Sequence, residues 1–457
     1  METIHIYHTN DLHSHFEHWP RIDQLLKERR HWHEQAGDEV FIFDIGDHMD
    51  RWHPFSEGTR GKGNCQLLNE SGYDAVTIGN NEGITLSYDE LDNLYNERNF
   101  HVLAANLYKQ DDSRPDWASP FHVYTTKNGI RLGVIGLTAY YGHFYNLLGW
   151  KVTDPLEEIK LQIDQLKDKT DAIVLLSHLG IHDDEEIAKR FPEVDVILGG
   201  HTHHIFHNGR LEGETLLAAG GKHGQYIGHI TIEFNPETGV IAQKRAVLYD
   251  VLELSPVPKE QAVTEQLYDD GKTLLNETVV TIPETLEVDH FGNSALPRLL
   301  CQAMLEWCNA DCAFLNAGLI LKSLPKGPVT KYDLLTICPH PINPCIVELS
   351  GRELIEIMKE TFEPKWPHLQ VKGLGFRGTV MGIFIYEGIE FTPGSHDHQM
   401  WVNEKPIDPS FNYKIAVPDM YTFGRLFPSI RRAEHKNYLF PDFLRDLLEW
   451  ELKKAFE

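Results

Sequence analysis

Phe41-Ile42-Phe43-Asp44-Ile45 is a run of apolar and β-branched residues that halts at Gly46-Asp47. A run of this length and composition is a buried strand, and the carboxyl ends of such strands are where open α/β sheets collect ligands. Gly46 allows a sharp turn, so Asp47 projects from the strand tip instead of lying in the sheet. A carboxylate placed there can offer one oxygen to each of two metal ions.

The same grammar recurs. Ile4-His5-Ile6-Tyr7-His8 runs into Thr9-Asn10-Asp11-Leu12-His13, and Tyr73-Asp74-Ala75-Val76-Thr77-Ile78 into Gly79-Asn80-Asn81-Glu82. Ala172-Ile173-Val174-Leu175-Leu176 ends in Ser177-His178, and Val194-Asp195-Val196-Ile197-Leu198 in Gly199-Gly200-His201-Thr202-His203. A histidine after one strand is an ordinary loop residue. Five strands each closed by Asp, Asn or His describe one site. Its candidates, Asp11, His13, Asp47, Asn80, His178, His201 and His203, are carboxylates, imidazoles and an amide without thiolate, a set suited to Mn, Fe, Co or Zn.

Thr-Asn-Asp-Leu-His, Gly-Asp, Gly-Asn-Asn-Glu, Ser-His and Gly-His-Thr-His, in this order, resemble the 5′-nucleotidase family of the calcineurin-like metallophosphoesterases. The likeness covers roughly the first 250 residues, with a weaker one beyond. It implies an α/β chain with an N-terminal four-layer α/β/β/α metallophosphoesterase domain and a smaller C-terminal α+β substrate domain. It also implies two divalent ions, one held by Asp11, His13, Asp47 and His203, the other by Asp47, Asn80, His178 and His201. Ions about 3.5–4 Å apart stabilise the attacking and leaving oxygens of an in-line displacement. The reaction implied is phosphoester hydrolysis by a metal-bound hydroxide, on nucleotides or other small phosphoesters, with Asp47 and the Asn81 position as catalytic.

Asn81 departs from the family, which has its general-acid histidine there. An amide delivers no proton at neutral pH, and such help is worth on the order of 10²–10⁴ in rate. Either leaving groups are good, or another group such as His48 or His53 gives the proton, or catalysis is lost. His15, His143, His204 and His223 carry no assignment. The alternatives are therefore a cyclic-nucleotide phosphodiesterase, a nucleotide-sugar pyrophosphatase, or a catalytically weakened metal-binding sensor.

In the family's C-terminal domain an Asn-Gly-Gly loop ending in Arg, two aromatic rings and a Gly-Gly-Asp hold the nucleotide. Asn316-Ala317-Gly318-Leu319-Ile320-Leu321 resembles that loop with Leu321 in the arginine's place, and Phe376 is the expected ring. Asn316, Gly318 and Phe376 are thus the implied substrate contacts. Tyr421 or Phe423 supplies a second ring or packs internally, and Arg298, Arg377 and Arg425 are candidate phosphate contacts.

Alternating strands and helices continue to about Leu252, with helices expected over 22–34, 64–71, 88–98 and 155–167, closing strands over 215–219, 226–234 and 240–251, and a turn at 235–239. Residues 253–282, opened by Ser255-Pro256-Val257-Pro258, read as a linker helix between domains 1–252 and 283–457. An apolar stripe of Leu296, Leu299, Leu300, Ala303, Met304 and Trp307 marks a core-facing helix. Gly373-Leu374-Gly375-Phe376-Arg377-Gly378 matches a dinucleotide-loop pattern, but the strand-like run after it argues against that reading.

Lys plus Arg is 42 against 68 Asp plus Glu, a net charge of −26. Such a surface repels phosphate backbones, so a small-molecule phosphoester is expected and a nucleic-acid polymer is not. No apolar stretch suits a membrane span, and no signal peptide is expected before the first ligand motif. Six cysteines without zinc spacing read as buried hydrophobes of a reducing compartment. The expected location is the cytoplasm.

Overall fold

The computed structural model describes residues 2–235, 238–391 and 399–457. These form two compact units, Met1–Lys272 and Thr273–Glu457.

The first unit stacks two sheets. One has seven strands, in spatial order Ile241–Asp250, Tyr226–Phe234, Glu2–Thr9, Glu39–Asp44, Ala75–Val76, His101–Leu103 and Ala118–Ser119. The other has six, in the order Arg210–Glu212, Thr215–Ala218, Val196–Gly199, Ala172–Ser177, Arg131–Leu137 and Phe121–Thr125. Ile4, Ile6 and Phe43 of the first pack with Val134, Val174 and Leu198 of the second in an apolar interlayer. The outer face of the second sheet carries Ile135, Ile173, Leu175 and Ile197 under Ile159, Ile163 and Ile187 of two helices. The helix Trp19–Ala36 covers the outer face of the first. This is the four-layer α/β/β/α arrangement expected. The helix Pro155–Leu166 shows the local logic: Asp154 accepts the Leu156 and Glu157 N–H groups, and Pro155 sits where no N–H is needed.

Among the elements that were not legible are the strands Phe121–Thr125 and Arg131–Leu137 and the helix Ile181–Arg190. Glycines dilute the apolar run of Arg131–Leu137, and charged residues dominate the helix Ile181–Arg190. Pro236 and Glu237 of the expected turn lie outside the described residues; the strands beside it pair antiparallel. The region read as a linker is divided. Its helix, Glu260–Leu274, is tied to the first unit by the Arg21–Glu260 ion pair and by Gly271, whose missing Cβ would lie 2.1 Å from Phe55 N.

The second unit is α+β. Its five-stranded mixed sheet runs Phe384–Glu387, Cys312–Asn316, Asn412–Pro418, Pro344–Ser350 and Lys436–Tyr438. The helix Ala295–Trp307 buries Leu296, Leu300, Ala303 and Met304 and packs against Leu444–Phe456. Trp307, expected in the buried stripe, is instead 36% exposed beside Trp450. Residues 373–378 open no helix. All six cysteines are buried and unpaired.

Candidate metal centre

Parallel pairing of Glu2–Thr9 with Glu39–Asp44 brings Thr9 beside Asp44, so the loops that follow leave the sheet together. They zip: Ile45 N–H donates to Thr9 O (2.9 Å), Asp11 N–H to Gly46 O (3.0 Å) and His13 N–H to Asp47 O (2.8 Å). The zipped path forces left-handed backbone, with φ of 51° at Asp11, 50° at His13 and 52° at Asp47. His201 (69°) and His203 (56°) are left-handed too. Five of seven candidate ligands thus adopt a conformation that costs on the order of 1–3 kcal/mol at each non-glycine residue, a feature concentrated at functional sites. Gly46 and Gly79 make this possible. A Cβ on Gly46 would lie 2.4 Å from Gly79 N, and one on Gly79 would lie 2.0 Å from Asp47 Oδ1.

Six of the seven side chains gather into two groups, Asp11-His13-His203 and Asp47-His178-His201. In the first, Asp11 Oδ1 is 3.7 Å from His13 Nε2 and 3.4 Å from His203 Nε2. In the second, Asp47 Oδ2 is 3.3 Å from His178 Nε2. The same Oδ2 is 3.8 Å from His13 Nε2, so it faces both groups. Asp47 Oδ1 is occupied by the Asn81 N–H at 2.7 Å. The sequence predicts one oxygen for each ion; here it is Oδ2 that faces both groups.

His178 Nδ1 donates to Ile45 O (2.6 Å), which leaves the Nε2 lone pair directed into the site. That Nε2 and Asn80 Oδ1, the seventh candidate, are buried and make no hydrogen bond among the described residues. Orphaned buried acceptors are rare and costly. Two such atoms beside two buried carboxylates fit a pair of divalent cations. The electrostatics show how strongly the site favours positive charge: without a cation, a proton on His178 takes that place. Burial opposes charge on His178, yet Asp47 and Asp11 outweigh it and push its pKa up to about 10. Burial likewise raises the Asp47 carboxyl, but His178, His13 and the Asn81 N–H hold it below the usual carboxylate range.

Several supporting residues went unassigned in the sequence. Glu82 accepts the N–H groups of Asp47 (2.9 Å), Gly79 (2.8 Å) and Met49 (3.1 Å), fixing both loops around the bridge. Its place three residues beyond Gly79, at the start of the helix Asn80–Thr85, was the available signal. Asp11 accepts from His201 N–H at 3.1 Å and from Asn10 Nδ2 at 2.8 Å. Asp50 Oδ2 is 3.6 Å from His13 Nδ1, and the Tyr141 hydroxyl is 3.1 Å from His201 Nε2. The Asn81 amide lies 3.1 Å from His13 Nδ1.

His48 and His53 do not reach this centre. His48 pairs with Asn64 (3.2 Å), and burial lowers it to about 3; His53 caps the helix Pro54–Thr59, and burial lowers it to about 4. His223 does approach: its ring stacks on His15 at 3.7 Å and stands edge-on to His13 at 5.9 Å.

In the second unit the expected substrate contacts are used internally. Asn316 donates to Met381 O (2.9 Å) and accepts from the Tyr421 hydroxyl (2.9 Å), both buried. A Cβ on Gly318 would lie 1.9 Å from Val380 O. Phe376 is 5% exposed and lies parallel to His340, centroids 5.4 Å apart. These residues are packed within the unit. Tyr421 is likewise buried against Phe314, Phe423 stacks on Tyr438, and Arg298 pairs with Glu387.

The family model for calcineurin-like phosphoesterases matches residues 4–204, and that for the 5′-nucleotidase C-terminal domain matches 277–425. The metallophosphoesterase YunD of Bacillus subtilis (strain 168) is 43% identical over 99% of this chain and 99% of its own. A 5′-nucleotidase of Vibrio cholerae is 26% identical over 77% of this chain and 74% of its own. Among solved structures, a 5′-nucleotidase from Staphylococcus aureus shares the fold with a TM-score of 0.70 at 19% identity, over 99% of this chain and 96% of that one. The chain belongs to the calcineurin-like metallophosphoesterases, in the branch that carries a 5′-nucleotidase C-terminal domain. It is a phosphohydrolase of a family that uses a dinuclear divalent metal centre, and the diesterase, pyrophosphatase and sensor alternatives are not favoured.

Proposed function

We propose that the chain hydrolyses nucleotides and other small phosphomonoesters, preferring good leaving groups, with Asp11, His13, Asp47, Asn80, His178, His201 and His203 holding two ions of the Mn, Fe, Co or Zn class. The observation that carries this is Asp47 Oδ2, turned to both groups of ligands while the acceptors of His178 and Asn80 stand unpartnered. Bound divalent ions supply Lewis-acid stabilisation of phosphoryl oxygens and lower the pKa of water. The chain's own part is to hold that charge. Glu82 fixes the Asp47 loop and Asn10 orients Asp11.

Asn81 sets the preference. Its amide sits beside His13 and carries no titratable proton, so a ribose oxygen departs without general-acid help. Relatives named 5′-nucleotidase support nucleotides as a substrate class. The packed Asn316, Gly318 and Phe376 support weak discrimination among bases. Six unpaired buried cysteines support a reducing, cytoplasmic location, and the −26 charge opposes nucleic-acid polymers. Among the described residues no helix is long and apolar enough to cross a membrane.

The test is a phosphoester panel assayed with chelator-stripped protein resupplied with Mn, Co, Zn or Mg. Activity should return with metal, and p-nitrophenyl phosphate should far outpace AMP. Asn81→His should narrow that gap by raising kcat for poor leaving groups. Equal rates on both substrates in the wild type would refute the role given to Asn81.

A further inference from the structure

The Glu2–Thr9 strand carries a second group of imidazoles towards its start. His5 meets His229 on the neighbouring strand Tyr226–Phe234 and His33 on the helix Trp19–Ala36. His5 Nδ1 is 3.0 Å from His229 Nε2, the His5 and His33 rings stack at 3.7 Å, and each residue offers a ring nitrogen within 4.8 Å of the others. Asp38 brings Oδ2 to 3.7 Å from His5 Nε2 and 3.9 Å from His33 Nδ1. Asp11 lies six positions beyond His5, roughly 20 Å of extended chain, so this group is distinct from the dinuclear centre.

A hydrogen bond between His5 and His229 accounts for two of the rings but not for the third. His33 is 1% exposed, and its Nδ1 has no hydrogen-bond partner among the described residues. Its Nε2 is 3.0 Å from the Tyr7 hydroxyl, and His229 Nδ1 is 3.4 Å from the Tyr249 hydroxyl. With the tyrosine oxygens accepting from these nitrogens, the lone pairs of His33 Nδ1 and His229 Nε2 are turned inward, as around metal-ligating histidines. Burial lowers His33 to about 4 and His229 to about 3, so both rings are neutral and keep a lone pair at neutral pH. Asp38 offsets the nearby cation Arg29, which lies over the Tyr249 ring at 5.3 Å.

We propose that His5, His33 and His229 bind one further transition-metal ion of the Zn, Co, Ni or Cu class. Three imidazoles are a donor set for such ions and not for Mg or Ca. Because the ligands come from a strand, its neighbour and the covering helix, the ion acts as a clamp between layers, not as part of the reaction.

Full-length protein is dialysed against Zn(II) at neutral pH and its metal content measured. The expected result is one equivalent more in the wild type than in His33→Gln or His229→Gln, with phosphatase activity unchanged by either substitution. Zn(II) should also raise the unfolding temperature of the wild type further than that of the variants. Should the variants fail to fold, Cu(II) titration of Asp47→Ala protein read by electron paramagnetic resonance takes their place. The expected signal shows coupling to three nitrogens, where each group at the dinuclear centre offers two imidazoles. Equal metal content in wild type and variants, or no three-nitrogen signal, overturns the proposal. Loss of metal from the dinuclear centre alone would leave the His33-dependent equivalent in place, so the two sites are scored separately.

Discussion

Both units carry a motif of the family, and they treat it in opposite ways. In the first unit the motif residues are left-handed, their carboxylates are buried together, and two acceptor atoms lack partners. In the second, Asn316 has both ends of its amide satisfied, Gly318 is pressed against backbone, and Phe376 is buried against His340. A segment whose strain and orphaned atoms persist inside a well-packed frame is maintained for something it binds. In the second unit, the motif's polar atoms find their partners within the unit itself.

The contrast breaks most visibly at Asp47. Asp47→Ala should reduce phosphatase activity on the order of 10³-fold or more, with metal lost from both groups, whereas His13→Ala should chiefly weaken one. Full metal occupancy in purified Asp47→Ala would end the bridging assignment.

Glu82→Ala comes next. It strips the acceptor from three loop N–H groups, and outer-shell losses of this kind cost about 10–100-fold in metal affinity or activity. Glu82→Gln, which keeps one carbonyl acceptor, should recover part of that loss. A titration showing wild-type affinity in Glu82→Ala would mean that the zipped loops need no such support.

In the second unit the expected effect is on stability. Phe376→Ala should destabilise the fold by about 3–5 kcal/mol, read by denaturant unfolding of the full chain. KM values for AMP and for an aryl phosphate should move together. A selective rise for AMP would return Phe376 to the role of a base-stacking ring.

The smallest effect concerns Asp419, buried just after the strand Asn412–Pro418, where burial outweighs the Asn343 and Met420 N–H groups and pushes its pKa up to about 7. The folded unit then keeps a proton that the unfolded chain releases near pH 4. Its contribution to stability therefore falls as pH rises from about 4 to about 7 and levels off above. Asp419→Asn should flatten that part of the pH profile of unfolding; an unchanged slope would show that other groups set it.

The ligand loops were legible because their signal is local: an apolar run, a turn residue, then a donor. The interlayer core followed from the same runs. What remained hidden depends on separation along the chain. Glu82 serves an N–H 35 residues away, and Asn316 is satisfied by partners 65 and 105 residues away. Nothing near Asn316 distinguishes an amide aimed at a nucleotide from one buried against Tyr421. The His5 group was hidden for a further reason. Its members are ordinary strand and helix positions with no turn to announce them, and only the register Tyr7↔His229 and the helix laid across it bring them together.

The zipped, left-handed loops have a consequence for how ions come and go. Their shape is set by backbone bonds between adjacent strand tips, not by the cations, so the ligand cage works as a mould whose form does not depend on its filling. Loading should require no folding step, and one ion should replace another without rearranging the chain. A cage that does not adapt discriminates by fit, and among the divalent metals that fit, affinity follows their general order. The ion found in the enzyme is then decided by what its surroundings supply.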